Sequence, residues 1–262
     1  MTLPGAWPAE LTVDALPPLG QLLLSLADDE FVIGFWDSEW TGIAPMLEED
    51  VAMSSLAQDE IGHARLFYDE LARLTATDAD AIAFGRPMGD FRHARLLDHP
   101  RTDWAFTVAR RYLYETADAV RLEALVASSN APVAEGVAKI RREERYHLMH
   151  VDAWLRRLAV GQGEGRAKLD DALRRLGPEA SSVFAPLPGE EELVRDGVIA
   201  ASLADLYGTW TGVVGPVMRE LRLPFDPIPP TTGGRGPDHG PDFAWLWTEF
   251  TSVARSEQGA RW

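Results

Sequence analysis

The chain has 262 residues, 46% of them hydrophobic and 25% charged, with a formal net charge of −16. That size suits one globular domain with its own core, and the acidity argues against nucleic acid or an anionic membrane as partner, leaving only a local basic patch for an anionic ligand. With no cysteine, disulfides, thiol chemistry, zinc–thiolate sites and iron–sulfur clusters are excluded, which is compatible with the expected cytoplasmic location. The opening MTLPGAWPAELTVDALPPLG lacks a basic start and an apolar centre, so no signal peptide is expected. No apolar run approaches the ~20 residues that span a bilayer.

Helical periodicity dominates from there, and no strand is expected. After Pro17 and Pro18, Leu19–Trp40 is apolar-rich with few breakers, and TGIAP forms a turn at Pro45. Glu48–Leu74 reads as a helix with Met53, Leu56, Ala57, Ala64 and Phe67 on one stripe. Residues 75–102 read as a long connection with a short helix at Asp78–Phe84. Arg86, Arg92, Arg95 and Arg101, with His93 and His99, make its second half basic, and a solvated loop is the simpler reading of that bias. Trp104–Ser128 and Val133–Val160 are helices joined by SSNAP, where Pro132 suits a first turn. Arg166–Phe184, Glu190–Ala201 and Ala204–Leu221 follow, the last interrupted at Gly212, Gly215 and Pro216. Residues 223–242 are a Pro- and Gly-rich loop, and Phe243–Glu257 closes the chain as a helix. The expected organisation is a single domain, with a core over about 19–160 and a helical extension over about 164–262. Nine tryptophans read as core and interface anchors.

Two of the six histidines stand three residues after a glutamate, in DEIGH (59–63) and EERYH (143–147). An i, i+3 spacing puts both side chains on one helix face. One such pair is weak evidence, because solvated faces produce them. Here both pairs interrupt apolar stripes, and a buried carboxylate needs a partner or a metal. Folding the first pair of helices about Pro45 brings Glu30 level with Glu60, and folding the second about Ser129 and Asn130 brings Glu115 level with Glu144. At 1.5 Å per residue each carboxylate lies roughly 22 Å from its turn. Six candidate ligands follow: Glu30, Glu60, His63, Glu115, Glu144 and His147. They match the general pattern of ferritin-like di-iron or di-manganese carboxylate bundles. Buried ion pairs with Arg65, Arg111 or Arg141 are the competing reading. Asp59 and Glu143 precede the ligand glutamates and are candidates to accept the Nδ1–H of the opposite hairpin's histidine. His150 reads as a core or surface histidine.

The segments EWTGIAPMLEEDVA, IGHARLFYDELA, ARRYLYETADA, EERYHLMHVDAWLRRL and TTGGRGPDHGPDF resemble the ferritin-like subunits of bacterial phenylacetyl-CoA epoxidase, over most of the chain. Length and tail are most similar to the PaaC-type subunit, which the resemblance casts as the structural partner of a catalytic PaaA-type subunit. Unlike that pattern, all six PaaA-like ligand positions are filled here. GHAR stands where PaaC-type chains tend to have GQAR, and Glu144 where a small residue is common. The resemblance therefore implies a di-iron monooxygenase component that epoxidises an aromatic acyl-CoA. Iron is the expected metal, manganese is possible, and Glu30, Glu60, Glu115 and Glu144 serve catalysis. It further implies a PaaA-type partner or a homodimer, and a separate reductase, because flavin and iron–sulfur motifs are absent. A non-catalytic scaffold is the alternative, and iron storage a more distant one.

Overall fold

A computed structural model describes residues 11–256. The first ten residues, where no signal peptide is expected, and residues 257–262, which include the expected helix end at Glu257 and Trp262, lie outside the described residues. Among those described, the fold is all-α, consistent with a ferritin-like bundle. Its helices are α1 Pro18–Ser38, α2 Leu47–Thr75, α3 Ala79–Gly85, α4 Trp104–Leu125, α5 Ala131–Val160, α6 Glu164–Ala180, α7 Glu190–Arg195, α8 Leu203–Glu220 and α9 Pro241–Ser256. Four N-termini are capped as their sequences dictate. Asp78 accepts from Asp80 and Ala81, Asp103 from Phe106, Asn130 from Val133 and Ser202 from Asp205.

The described residues form two compact units. One comprises those up to His93, with Leu187–Gly189 and those from Gly236 onward; the other comprises Ala94–Pro186 and Glu190–Arg235.

The first unit is built on the antiparallel pair α1 and α2. Residues Gly20–Gly34 of α1 are all buried, as expected for a helix without a continuous polar face. The register differs from a fold about Pro45. Gly34, not Glu30, lies against Glu60, and Gly20 lies against Leu74, so Glu30 is level with the turn holding His63. The reason is the connection, which is no tight turn: it climbs α2. Thr41 Oγ1 meets Ser54 Oγ at 2.9 Å, and the Gly42 amide donates to Asp50 Oδ1. Ala76, at φ 53°, ends α2. α9 docks aromatically, with Phe250 against Phe31 at 5.0 Å and Trp245 stacked on the fully buried Trp36 at 5.9 Å.

The second unit is built on α4 and α5. Trp104 meets Trp154 edge-on at 5.2 Å, and Arg141 pairs with Glu123. These contacts bracket the register expected about Ser129 and Asn130. α7 stops at Arg195 rather than Ala201, because Gly197 turns left-handed at φ 71° and the Val198 amide returns to the Leu193 carbonyl at 2.8 Å. α8 runs unbroken through Pro216; both Pro216 and Gly212, whose carbonyl loses its helical donor to the proline, are exposed. Trp210, fully buried, donates its indole N–H to Thr116 Oγ1 at 2.9 Å.

The basic stretch is not a solvated loop. Arg86 is completely buried. It donates to both oxygens of the buried Asp28, to Ile82 O and to Asp90 O, and lies 4.2 Å from the Phe91 ring. Tyr68 donates to Asp28 Oδ1 at 2.6 Å and the Arg92 amide to Oδ2 at 2.7 Å. In the second unit, Arg95 donates to Gly233 O at 2.9 Å and His99 meets Glu179 at 2.5 Å.

Candidate metal centre

Each unit buries one triad of the predicted ligands. In the first, Glu30 comes from the middle of α1, and Glu60 and His63 share one face of α2. All are at most 1% exposed. His63 Nδ1 lies 3.6 Å from Glu30 Oε2 and 3.8 Å from Glu60 Oε2. One donor atom from each of the three falls within 4.8 Å of the others. In the second, Glu115 comes from α4, and Glu144 and His147 from α5, with exposures of 1%, 5% and 3%. His147 Nδ1 is 3.1 Å from Glu144 Oε1, and donor atoms of this triad also fall within 4.8 Å of one another.

The local cause is legible along the helices. The buried stripe of α5 runs Val133, Val137, Ile140, Glu144, His147, Val151, Leu155 and Ala159, so the two ligands occupy positions that apolar residues fill elsewhere. On α2, Glu60 and His63 lie between Leu56, Ala57 and Ala64, Phe67 in the same way.

Two carboxylates this close, away from water, repel unless a cation or a shared proton joins them. A divalent metal would supply that charge. Two hard oxygens and one borderline nitrogen per triad suit iron or manganese, so the residues present fit such an ion.

The three arginines named as competing partners separate clearly. Arg65 goes to Asp69 and Asp80 at the surface, and Arg141 to Glu123. Arg111, 2% exposed, is ion-paired with Glu115 one turn further along α4.

Asp59 and Glu143 are half-buried. In both triads Nδ1 is the nitrogen on the carboxylate side, so any supporting carboxylate would meet Nε2 rather than the Nδ1–H expected from sequence. His150 is half-buried and belongs to neither triad.

Sequence reasoning missed the Asp28–Tyr68–Arg86 network, two residues before Glu30. Asp28 and Arg86 are 58 positions apart, and no local periodicity joins them. Burial first, then the Asp28 charge, pushes the Tyr68 hydroxyl well above its usual value. Burial pulls the Arg86 guanidinium down, but Asp28 outweighs it and the net shift is upward.

The chain belongs to the phenylacetic acid catabolic protein family, which it matches over residues 7–262. It is similar to the C-type component of 1,2-phenylacetyl-CoA epoxidase of Escherichia coli (strain K12), being 29% identical over 242 residues that cover 91% of this chain and 97% of the relative. It is also similar to the A-type component of that epoxidase from the same organism, at 27% over 160 residues, covering 61% of this chain and 52% of the relative. Likeness to the C-type component along nearly the whole length supports a PaaC-type assignment. Among the described residues no helix is long and apolar enough to cross a membrane.

Proposed function

We propose that this chain is one component of a multicomponent di-iron oxygenase of the phenylacetyl-CoA epoxidase type. Each triad would hold one iron, manganese being the other ion these donors accept, which gives the two metals per chain that the sequence pattern implies. When bound, the metals supply the O2 chemistry that epoxidises an aromatic acyl-CoA. The chain's own residues prepare for this. Glu30, Glu60, Glu115 and Glu144 carry the negative charge that balances the cations. His63 and His147 present neutral Nδ1 atoms, and burial keeps bulk water from the donors. Asp59 and Glu143 accept from the outer imidazole nitrogens and hold the ring orientation. A PaaA-type chain or a second copy is the partner, and a separate reductase delivers electrons. The supporting observation is the burial of a Glu, Glu, His triad in each unit, at the positions the sequence singles out.

Two observations favour a second reading. The Arg111–Glu115 ion pair and the likeness to the C-type component along nearly the whole length fit a non-catalytic scaffold for a catalytic PaaA-type chain. Elemental analysis separates the two, on protein reconstituted anaerobically with excess Fe(II) and freed of loose metal. The oxygenase reading expects about two irons per chain, falling by about one in Glu60→Ala and in Glu144→Ala. Iron at background, unchanged by either substitution, leaves the scaffold.

A further inference from the structure

We propose that the outward faces of α5 and α9 form a contact between two copies of this chain, α5 of one copy lying on α9 of the other. The proposal rests on the second-copy branch of the partner reading above and does not depend on a metal.

α5 buries one stripe and carries a second on its opposite side. Lys139, Arg142, Tyr146 and Met149 follow at steps of three, four and three residues, and all four are exposed, Tyr146 by 69% and Met149 by 59%. Steps of three and four are those by which one helix meets another. Arg145 is exposed beside Tyr146, so this is a cationic face on a chain of net charge −16. α9 carries the counterpart. Its inner side buries Phe243, Leu246 and Phe250. Its outer side exposes Asp242, Trp245, Glu249 and Val253, at steps of three, four and four. Trp245 is 47% exposed even though its ring stacks on Trp36, and Val253 is 57% exposed.

Laid parallel, the stripes match position by position. Lys139 faces Asp242, Arg142 faces the Trp245 ring, Tyr146 with Arg145 faces Glu249, and Met149 faces Val253. Ion pairing, cation–π attraction and apolar burial then each have both partners. Like-on-like pairing lacks this. The α5 stripe holds no carboxylate to offset a second cationic stripe, and the α9 stripe holds no cation to offset a second acidic one. Each stripe is roughly 15 Å long. One helix pair of that length is smaller than a standard interface, so the association is expected to be weak and reversible.

Sedimentation velocity of the full chain over a concentration series is the test, run at low and at high salt. Wild type is expected to associate as concentration rises, and less so at high salt. One variant reverses the α5 charges (Lys139→Glu, Arg142→Glu and Arg145→Glu together), and a second reverses those of α9 (Asp242→Lys with Glu249→Lys). Each alone is expected to weaken association about tenfold or more. An equimolar mixture of the two should regain it, because each altered face then meets an altered partner. If circular dichroism shows that a reversed variant does not fold, Tyr146→Ser and Val253→Ser replace it, with a loss expected from each. A wild type that is monomeric at every concentration would overturn the proposal, as would association that neither face's substitutions change, or a mixture of folded reversed variants that stays dissociated. Should the α5 reversal instead abolish binding of an A-type component to a monomeric wild type, that face belongs to the A-type partner and the proposal is overturned. None of these results touches the oxygenase reading, which iron content tests separately.

Discussion

Gly34→Ala tests the closest approach of α1 to α2, at the level of a proposed ligand. A Cβ at this position would lie 3.0 Å from Glu60 Cβ, 3.0 Å from Ile61 Cγ1 and 3.1 Å from the Ala57 carbonyl oxygen. Carbon atoms in ordinary contact sit about 3.5–4.0 Å apart, so the helices must separate by roughly half an ångström at the crossing. Overpacking of this kind costs about 1–3 kcal/mol. The same substitution gains about 1 kcal/mol of helix propensity, so the net effect runs from near zero to a loss of about 2 kcal/mol. Gly62, exposed on α2 with nothing within 4 Å of a built Cβ, provides the control. Gly62→Ala collects the propensity gain alone and should stabilise by about 0.5–1 kcal/mol. Urea unfolding of both variants, followed by far-ultraviolet circular dichroism, should place their midpoints on opposite sides of wild type or leave Gly34→Ala at wild type. Equal stabilisation by the two substitutions would refute the close crossing and, with it, the placement of Glu60 against α1.

Arg86→Met removes the cation from a completely buried pair and leaves the Asp28 carboxylate uncompensated, so a loss of about 3–5 kcal/mol is expected in the same urea assay. Tyr112 carries an alkaline signature. Burial, then the Asp152 charge, pushes its hydroxyl up to about 12 from an ordinary 10.0. The folded state therefore keeps a proton that the unfolded chain releases. Stability from this group is complete below pH 10 and falls as pH rises toward 12. Tyr112→Phe should flatten that part of the stability–pH curve, and an unchanged slope would contradict the assignment.

Much of the candidate centre is legible in the linear order of residues. Glu144 and His147 break an otherwise apolar stripe on α5, and burying charge in such a stripe demands a partner. The helix starts are legible for a similar reason, since Asp103, Asn130 and Ser202 have side chains that cap within three residues. Legibility fails where the deciding contact is distant or the backbone turns unusually. A fold about Pro45 misplaced Glu30 by about one turn, because the connection climbs α2 along Thr41 and Gly42 instead of reversing at the proline. Gly197 shortened α7 by adopting a left-handed conformation that composition does not announce.

Six ligand candidates and the helices that carry them follow from residue order alone, because helical period and apolar spacing act over three or four residues. Residue order also put the Arg86 region in solvent, and there packing overrode it. The partner that makes burial of Arg86 tolerable is Asp28, far along the chain, and only the folded arrangement brings a charge and its counter-charge into one dry space. Folding likewise selected Arg111 to hold Glu115 while Arg65 and Arg141 turn outward. Spacing makes all three arginines eligible, and the burial of each helix face chooses among them.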